Sequence, residues 1–275
     1  MRLHTSLLSR LLFPLVLSGA TVGCAAVFPE LSTRFSEAPD LGTFDPPPPP
    51  DRYRLRVVSG KVPAKTRDGR EWDKAFGSLP DPYATVFVNE KELFRTNAQT
   101  DTLEPTWPDS PKGNFLFAVG DKVEVQLWDS SAFNDSPIGQ LERTITLDNI
   151  DAGEVRFDMN GGGEVVLEIK PAEAVWGAGF WFELRNDSVH VTRLIEGSPA
   201  SRAELKPGDE IVSIDGKPLS AMTLAERRSL VAAFPAKGYQ LSLKRRDGST
   251  LEVPLKEGPI YALHADYKRL PVVPR

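Results

Sequence analysis

The chain has 275 residues, of which 40% are hydrophobic, 26% charged and 9% aromatic, and its formal net charge is −5. This length is typical of two domains plus tails. The apolar content is high enough to build hydrophobic cores, which excludes a largely disordered chain. The negative charge argues against nucleic acid as a partner, because binding to phosphates needs clustered Lys and Arg side chains.

The first 23 residues have the pattern of a secretion signal. Arg2 and Arg10 make a basic start, and residues 11–22 are almost wholly apolar. An apolar run of roughly a dozen residues is too short to span a hydrocarbon core of about 30 Å. We therefore interpret residues 1–23 as a signal peptide rather than as a membrane-spanning helix.

A single cysteine follows this segment. Residues 21–24, Thr-Val-Gly-Cys, resemble the bacterial lipobox, and Cys24 is the only cysteine of the chain. The resemblance implies a lipoprotein whose Cys24 carries acyl chains such as palmitate and anchors the protein to a membrane of the bacterial cell envelope. Ala25 after the cysteine favours the outer membrane, facing the periplasm or the cell surface. An ordinary cleaved signal or a buried thiol remains the alternative.

Residues 24–51 are expected to form a tether that ends in five consecutive prolines, Pro46 to Pro50. Proline cannot donate a backbone hydrogen bond and favours an extended polyproline helix. The run is interpreted as a rigid spacer, with a ligand for aromatic grooves as the alternative.

Residues 52–170 have the pattern of a β-sandwich. Short segments with period-two alternation or continuous apolar residues are separated by Gly, Pro, Asn and Asp, and no helix is expected. The segments assigned as strands are 53–58, 83–88, 122–128, 144–147, 155–157 and 165–169. With roughly eight short strands in all, the segment is predicted to be a sandwich.

Three motifs in this segment, taken together and in order, resemble C2 domains. They are Asp-Pro-Tyr-Ala-Thr-Val at 81–86, Arg-Thr at 95–96 with Thr-Leu-Glu-Pro-Thr-Trp at 102–107, and Val-Glu-Val-Gln-Leu-Trp-Asp at 123–129 with Ile-Gly at 138–139. The resemblance implies an eight-stranded sandwich, whose loops at one end often hold calcium between carboxylates and lipid headgroups.

The same resemblance identifies candidate calcium ligands. It places Asp81 and Asp129 at two ligand positions of the family, Asp73 in the first loop and Asp135 in the third. Calcium takes about six to eight oxygen ligands, so several carboxylates must converge. Calcium is therefore the one candidate cofactor, and the alternative is a sandwich that serves as a rigid spacer or protein contact.

Residues 174–258 resemble a PDZ domain, which implies a partly open α+β barrel in a chain that is mainly β. Gly-Ala-Gly-Phe at 177–180 resembles the loop that opens PDZ domains. Residues 196–218, with Gly-Ser-Pro-Ala, Lys-Pro-Gly-Asp and Ile-Asp-Gly-Lys-Pro, match the signature of bacterial PDZ domains, including those of tail-specific and HtrA-like proteases. Two helices are predicted, at 198–205 and 223–234.

The PDZ resemblance also implies a peptide site. In that family the backbone N–H groups of the Gly-rich loop bind a peptide's C-terminal carboxylate, and the peptide adds as a strand to the sheet. The candidate peptide-binding residues are Ala178, Gly179 and Phe180 in the loop, Phe182 on the next strand, and Leu224, Arg228 and Val231 on the second helix. Arg227 and Arg228 indicate either a preference for an acidic ligand residue or a solvated helix face.

One residue departs from the PDZ pattern. Glu204 stands where the family has glycine, and a positive φ there would cost about 1–2 kcal/mol.

No catalytic constellation is visible. After the signal the only histidines are His190 and His264, and there is no Gly-x-Ser-x-Gly or zinc-helix motif. We therefore expect a non-enzymatic envelope adaptor or scaffold that binds the C-termini or peptide segments of envelope proteins, with the sandwich near the membrane and the PDZ module projecting outward. The alternative is a calcium-dependent lipid-binding protein with an auxiliary PDZ domain. The tail, residues 259–275, has no periodic pattern.

Overall fold

The computed structural model describes residues 35–37, 47–72, 79–109, 111–132, 134–185, 187–232, 237–270 and 272–273. The predicted signal peptide and Cys24 therefore lie outside the described residues. The elements of the first half are β1 (Phe35–Glu37), β2 (Arg52–Lys61), β3 (Pro82–Val88), β4 (Lys91–Arg95), β5 (Phe115–Leu116), β6 (Lys122–Asp129), β7 (Ser136–Thr144), α1 (Leu147–Ala152), β8 (Glu154–Asp158) and β9 (Glu164–Pro171).

Strands β2 to β9 form an antiparallel sandwich of two four-stranded sheets. The strand orders are β5-β2-β9-β8 and β4-β3-β6-β7. The alternation read from the sequence sets which side chains face the core, as in β6, where Val123, Val125 and Leu127 are buried and the residues between them are partly exposed. The fold is therefore mainly β, and the prediction of an eight-stranded sandwich is confirmed.

The expected strand at residues 144–147 is wrong. Strand β7 ends at Thr144 and α1 begins at Leu147. Thr146 caps this helix in a capping box with Asn149, and Gly153 ends it at φ +74°. A helix of one and a half turns is too short to show a helical period, so the apolar residues at 145 and 147 were indistinguishable from strand alternation.

The second half of the chain forms a mixed α+β unit and a structured tail. Its elements are β10 (Val175–Gly177), β11 (Phe180–Leu184), β12 (Val189–Leu194), α2 (Pro199–Arg202), β13 (Glu210–Ile214), β14 (Lys217–Pro218), a 3₁₀ turn (Leu219–Ala221), α3 (Leu224–Ala232), β15 (Tyr239–Lys244), β16 (Thr250–Leu255), β17 (Gly258–Ile260), α4 (His264–Tyr267) and β18 (Val272–Val273).

The main sheet of this unit has the order β11-β12-β13-β15-β16, with β14 paired to β13. Its turns follow the residues that the sequence supplies. Asp215 and Gly216 have φ of +49° and +75° between β13 and β14, as a tight hairpin requires. Ser198 caps α2 ahead of Pro199, and Thr223 and Glu226 form a reciprocal cap at the start of α3.

A third sheet, of order β17-β10-β1-β18, joins segments from both ends of the chain. Strand β1 lies within the predicted tether, and β17, α4 and β18 lie within or next to the tail that showed no period. The tether is thus not a plain spacer over its whole length. Neither β1 nor β18 shows alternation, because three residues or fewer cannot display a period.

In the part of the chain that the structure describes, no helix is long and apolar enough to cross a bilayer.

Candidate functional site

The Gly-rich loop lies between β10 and β11, and its carbonyl groups are turned toward α2. The Ala178 carbonyl accepts from the Ala200 N–H at 2.9 Å, and the Gly179 carbonyl accepts from the Ile195 N–H at 2.9 Å. Across a trans peptide, a carbonyl and the next N–H point in opposite directions. The N–H groups of Gly179 and Phe180 therefore point away from the segment that leads into α2, which is the orientation that a carboxylate cup requires.

Glycine is needed at the centre of this loop for two independent reasons. Gly179 has φ +83°, and a Cβ built on it would lie 2.2 Å from the Cβ of Ser198. Ser198 is fully buried, and its hydroxyl donates to the Gly179 carbonyl at 3.2 Å. The loop thus packs directly on the N-terminus of α2, and no side chain fits at residue 179.

Strand β11 lies at the end of the main sheet and has β12 as its one strand neighbour among the described residues. Phe180 pairs with Leu194, and the Ile195 N–H bonds the preceding carbonyl, that of Gly179. This pattern makes Phe180–Leu194 a pair without direct hydrogen bonds, so the backbone polar groups of Phe180 face the outer edge. The tail strand β17 pairs with β10 and not with β11. Within the described residues, this edge of β11 is therefore the side on which a further strand would add.

Helix α3 lies beside the C-terminal end of β11. Arg227 is only 7% exposed, and its Nη1 donates to the carbonyl of Arg185 at 2.8 Å, just after β11. Arg227 is therefore neither solvated nor directed at a ligand, although the sequence had suggested one or the other. Its side chain instead connects α3 to the segment after β11. A buried arginine cannot be recognised from sequence, because the acceptor is a backbone carbonyl more than forty residues away.

The other predicted helix residues are placed differently. Leu224 is 45% exposed at the start of α3, and Arg228, one helical turn later, is also exposed. Residues four apart share a helix face, so these two side chains can act together on one ligand. Val231 belongs to α3, but its side chain lies outside the described residues.

The two phenylalanines that follow the loop belong to the core. Phe180 and Phe182 are each 3% exposed, and their ring centroids are 5.6 Å apart. They pack in one cluster with residues of β12, β13 and β15. Only a small part of each ring is therefore available to a ligand.

The candidate calcium residues at the end of the sandwich act as hydrogen-bond acceptors that close the loops. Asp129 is buried, and its Oδ1 accepts from the Asp81 N–H at 2.8 Å; Asp81 Oδ1 accepts from the Asp101 N–H at 2.8 Å. Asp135 accepts from the Tyr83 hydroxyl at 2.7 Å and from the Ser131 N–H at 3.1 Å.

The electrostatics of this rim follow from those bonds. The hydrogen bond from Tyr83 is the main reason that the pKa of Asp135 is lowered, and the Arg95 guanidinium adds to the effect. Burial, followed by the bond to Asp135, raises the pKa of Tyr83 to about 12. Arg95 lies over the Tyr83 ring, 4.8 Å from its centroid, and its positive charge disfavours a second cation nearby.

Asp73 lies outside the described residues. Among the residues that are described, no group of three or more His, Cys, Asp and Glu side chains is arranged to hold a metal ion. The described carboxylates alone therefore do not fit calcium, and the calcium site stays a prediction that depends on Asp73.

Comparison with known families agrees with the two resemblances. The family model of the C2 domain matches residues 52–158, and that of the PDZ domain matches residues 190–236. Among solved structures, a C2 domain of plant extended synaptotagmin 1 is 20% identical over 45% of this chain and 96% of that chain, with a TM-score of 0.33.

Curated relatives match parts of the chain. Tricalbin-3 of Saccharomyces cerevisiae is 26% identical over 50% of this chain and 10% of its own length. The carboxy-terminal processing protease CtpA of Bacillus subtilis is 26% identical over 34% of this chain and 20% of its own, and a probable CtpA-like serine protease of Staphylococcus aureus is 30% identical over 34% and 18%.

The chain spans a fifth or less of the length of these relatives, and the CtpA-like matches cover the PDZ region. The chain therefore consists mainly of a C2 domain followed by a PDZ domain.

Proposed function

We propose that this protein is a non-catalytic, membrane-anchored adaptor of the bacterial cell envelope that binds the C-termini or peptide segments of envelope proteins between β11 and α3. One observation carries the proposal: the N–H groups of Gly179 and Phe180 point away from the packed segment 195–200, next to the edge strand β11. A peptide can add to that edge while its terminal carboxylate accepts from the loop amides.

A library of peptides with free C-termini, each compared with its amidated form, tests this site by fluorescence anisotropy. We expect free peptides to bind and amidation to weaken binding at least about tenfold, because an amide is neutral and cannot act as a charged acceptor. Equal binding of both forms would exclude the carboxylate cup.

Two exposed leucines give a matched pair of variants for the same assay. Leu224 lies on α3, and Leu147, which is 59% exposed, lies on α1 of the sandwich. We expect Leu224→Asp to weaken binding of the peptide and Leu147→Asp to leave it unchanged. The reverse result would place the ligand on the sandwich.

The non-catalytic part of the proposal rests on where the imidazoles lie. His190 Nε2 is 3.3 Å from Glu210 Oε1, and His264 Nδ1 is 2.6 Å from the Lys112 carbonyl oxygen. In the described residues neither imidazole is bonded to a Ser, Thr or Cys side chain, which a nucleophile–base pair requires. Cleavage of library peptides, followed by mass spectrometry, would overturn this part.

The lipid anchor is inferred from residues 21–24, which resemble a lipobox. Metabolic labelling with palmitate should label the wild-type chain and not Cys24→Ser, and membrane fractionation should release that variant. Labelling of the variant, or its full retention in the membrane, would reject lipidation at Cys24. Separation of inner and outer membranes then tests the outer-membrane location.

A second candidate function is calcium-dependent binding of lipid by the C2 domain. It is favoured by the proximity of Asp81 and Asp129, since the backbone N–H of the first donates to Oδ1 of the second at 2.8 Å. Calorimetric titration with calcium, followed by sedimentation with anionic vesicles, separates it from the adaptor. Absence of both heat and calcium-dependent sedimentation would remove this candidate.

A further inference from the structure

A three-residue strand from the N-terminal segment completes the sheet below the Gly-rich loop. Strand β1 pairs antiparallel with β10, with Ser36 opposite Trp176 and Glu37 opposite Val175. It also pairs in parallel with β18 at the end of the tail. Since β10 leads directly into Ala178 and Gly179, β1 is the strand that holds one side of the chain entering the loop.

The first side chain of this strand reaches both flanks of the loop. Phe35 is completely buried, and its ring centroid is 6.1 Å from that of Trp181, the second residue of β11. The cluster around Phe35 also contains Val175, Ile195 and Ile260. Val175 precedes the loop, Ile195 donates its N–H to the Gly179 carbonyl, and Ile260 Cδ1 would be 3.1 Å from a Cβ at residue 179.

We propose that Phe35 is a positioning residue for the peptide site, acting through β10 and Trp181 to hold the loop amides in the orientation that a carboxylate needs. This inference rests on the proposed peptide-binding function. Preorganised donors lose no ordering entropy when the ligand arrives, so releasing the loop weakens binding even where no contact to the ligand changes. Phe35 packs against Trp181, Val175, Ile195 and Ile260 around the loop, so its effect on the ligand is indirect.

The position of β1 also limits how far the PDZ unit can lie from the proposed anchor. Phe35 follows Cys24 by eleven positions, a length of chain that spans at most about 40 Å. With Cys24 lipidated, the PDZ unit would therefore lie within that distance of the membrane.

The test uses the full-length chain solubilised in detergent, with Phe35→Ala, Phe35→Leu and the control Phe157→Ala. Phe157 is equally buried but lies in the sandwich core. Two readouts are measured on each protein: affinity for a library peptide with a free C-terminus, and hydrogen exchange of residues 176–181.

We expect Phe35→Ala to raise the Kd about tenfold and to speed exchange in 176–181, while Phe35→Leu, which keeps most of the apolar volume, has a smaller effect on both. Phe157→Ala should leave the Kd of the folded protein unchanged. If Phe35→Ala has the same Kd and the same exchange rates as the wild type, the inference is wrong. It is also wrong if Phe157→Ala changes the Kd and the exchange of residues 176–181 as much as Phe35→Ala does.

If wild-type protein binds no C-terminal peptide, the proposed function fails. Exchange of residues 176–181 then decides the positioning role alone: faster exchange in Phe35→Ala supports it, and unchanged exchange rejects it. Phe35→Leu keeps the comparison valid if the alanine variant does not fold.

Discussion

Asn114 and Glu173 are joined by a reciprocal pair of hydrogen bonds. Asn114 Oδ1 accepts from the Glu173 N–H at 2.8 Å, and Asn114 Nδ2 donates to the Glu173 carbonyl at 2.8 Å. The backbone of Asn114 also donates to the Ala262 carbonyl at 2.9 Å and accepts from the His264 N–H at 2.8 Å. One residue of the sandwich thereby fixes both the link into the PDZ unit and the tail that returns from it.

We expect Asn114→Ala to lower the free energy of unfolding by about 2–4 kcal/mol, because Asn114 is 1% exposed and its loss leaves buried polar groups of Glu173 unpaired. Urea denaturation measures this change. The exposed Asn160 provides the control, and Asn160→Ala should cost less than about 0.5 kcal/mol. Similar losses in the two variants would mean that the junction contributes little to stability.

Glu204 has φ +61°, and it occupies the position at which the PDZ pattern has glycine. We expect Glu204→Gly to stabilise the protein by about 1 kcal/mol, because glycine relieves the left-handed strain and only part of that gain is offset by its greater freedom in the unfolded chain. The control Glu196→Gly, at an exposed residue without positive φ, should destabilise by roughly 0.5 kcal/mol. Thermal or urea unfolding distinguishes the two signs.

The sequence predicted strands of the sandwich well where one face is buried and the other is partly exposed, as in β6. Strand β6 extends only one residue beyond the predicted segment 122–128, and period two is a local property that a short window shows. The positive φ of Glu204 could also be predicted, since a motif position that requires glycine indicates a positive φ at that residue.

The sequence could not show which distant segments pair. Strand β1 pairs with β18 across more than two hundred residues, and neither segment is long enough to have a period. The same holds for Asn114, whose role depends on backbone groups of residues 173 and 262. The Gly-rich loop could be predicted because the Gly-x-Gly-Phe motif is local, whereas the contacts of Phe35 and Arg227 are tertiary.

Substitutions at two glycines, Gly179 and Gly197, distinguish the cost of backbone strain from the cost of steric overlap. Gly179 and Gly197 have φ of +83° and +71°, but a Cβ at residue 197 meets nothing within 4 Å, whereas one at residue 179 overlaps Ser198. We expect Gly197→Ala to cost about 1 kcal/mol from backbone strain alone and Gly179→Ala to cost more than about 2 kcal/mol. Gly179→Ala should also abolish peptide binding. Equal stability of the two variants would show that the loop can move away from α2.

The bond between Tyr83 and Asp135 predicts a pH dependence at the rim of the sandwich. The folded-state pKa of Tyr83 is raised from 10.0 to about 12. A phenol whose pKa is raised by folding contributes stability that is fully present below pH 10 and is lost as the pH rises toward 12. Absorbance titration of the phenolate should show a component near pH 12 that is missing in Tyr83→Phe.

Burial is the first cause of this shift and the bond to Asp135 the second, so Asp135→Asn should move that titration only part of the way back toward 10. The pKa of Asp135 is itself lowered by the same bond. Its contribution to stability is therefore present above the usual carboxylate range and is lost as the pH falls through the lowered value. Tyr83→Phe should consequently lose less stability than wild type on strong acidification as well as at high pH. Parallel unfolding curves of wild type and Tyr83→Phe across both ranges would show that the Tyr83–Asp135 bond does not form in solution.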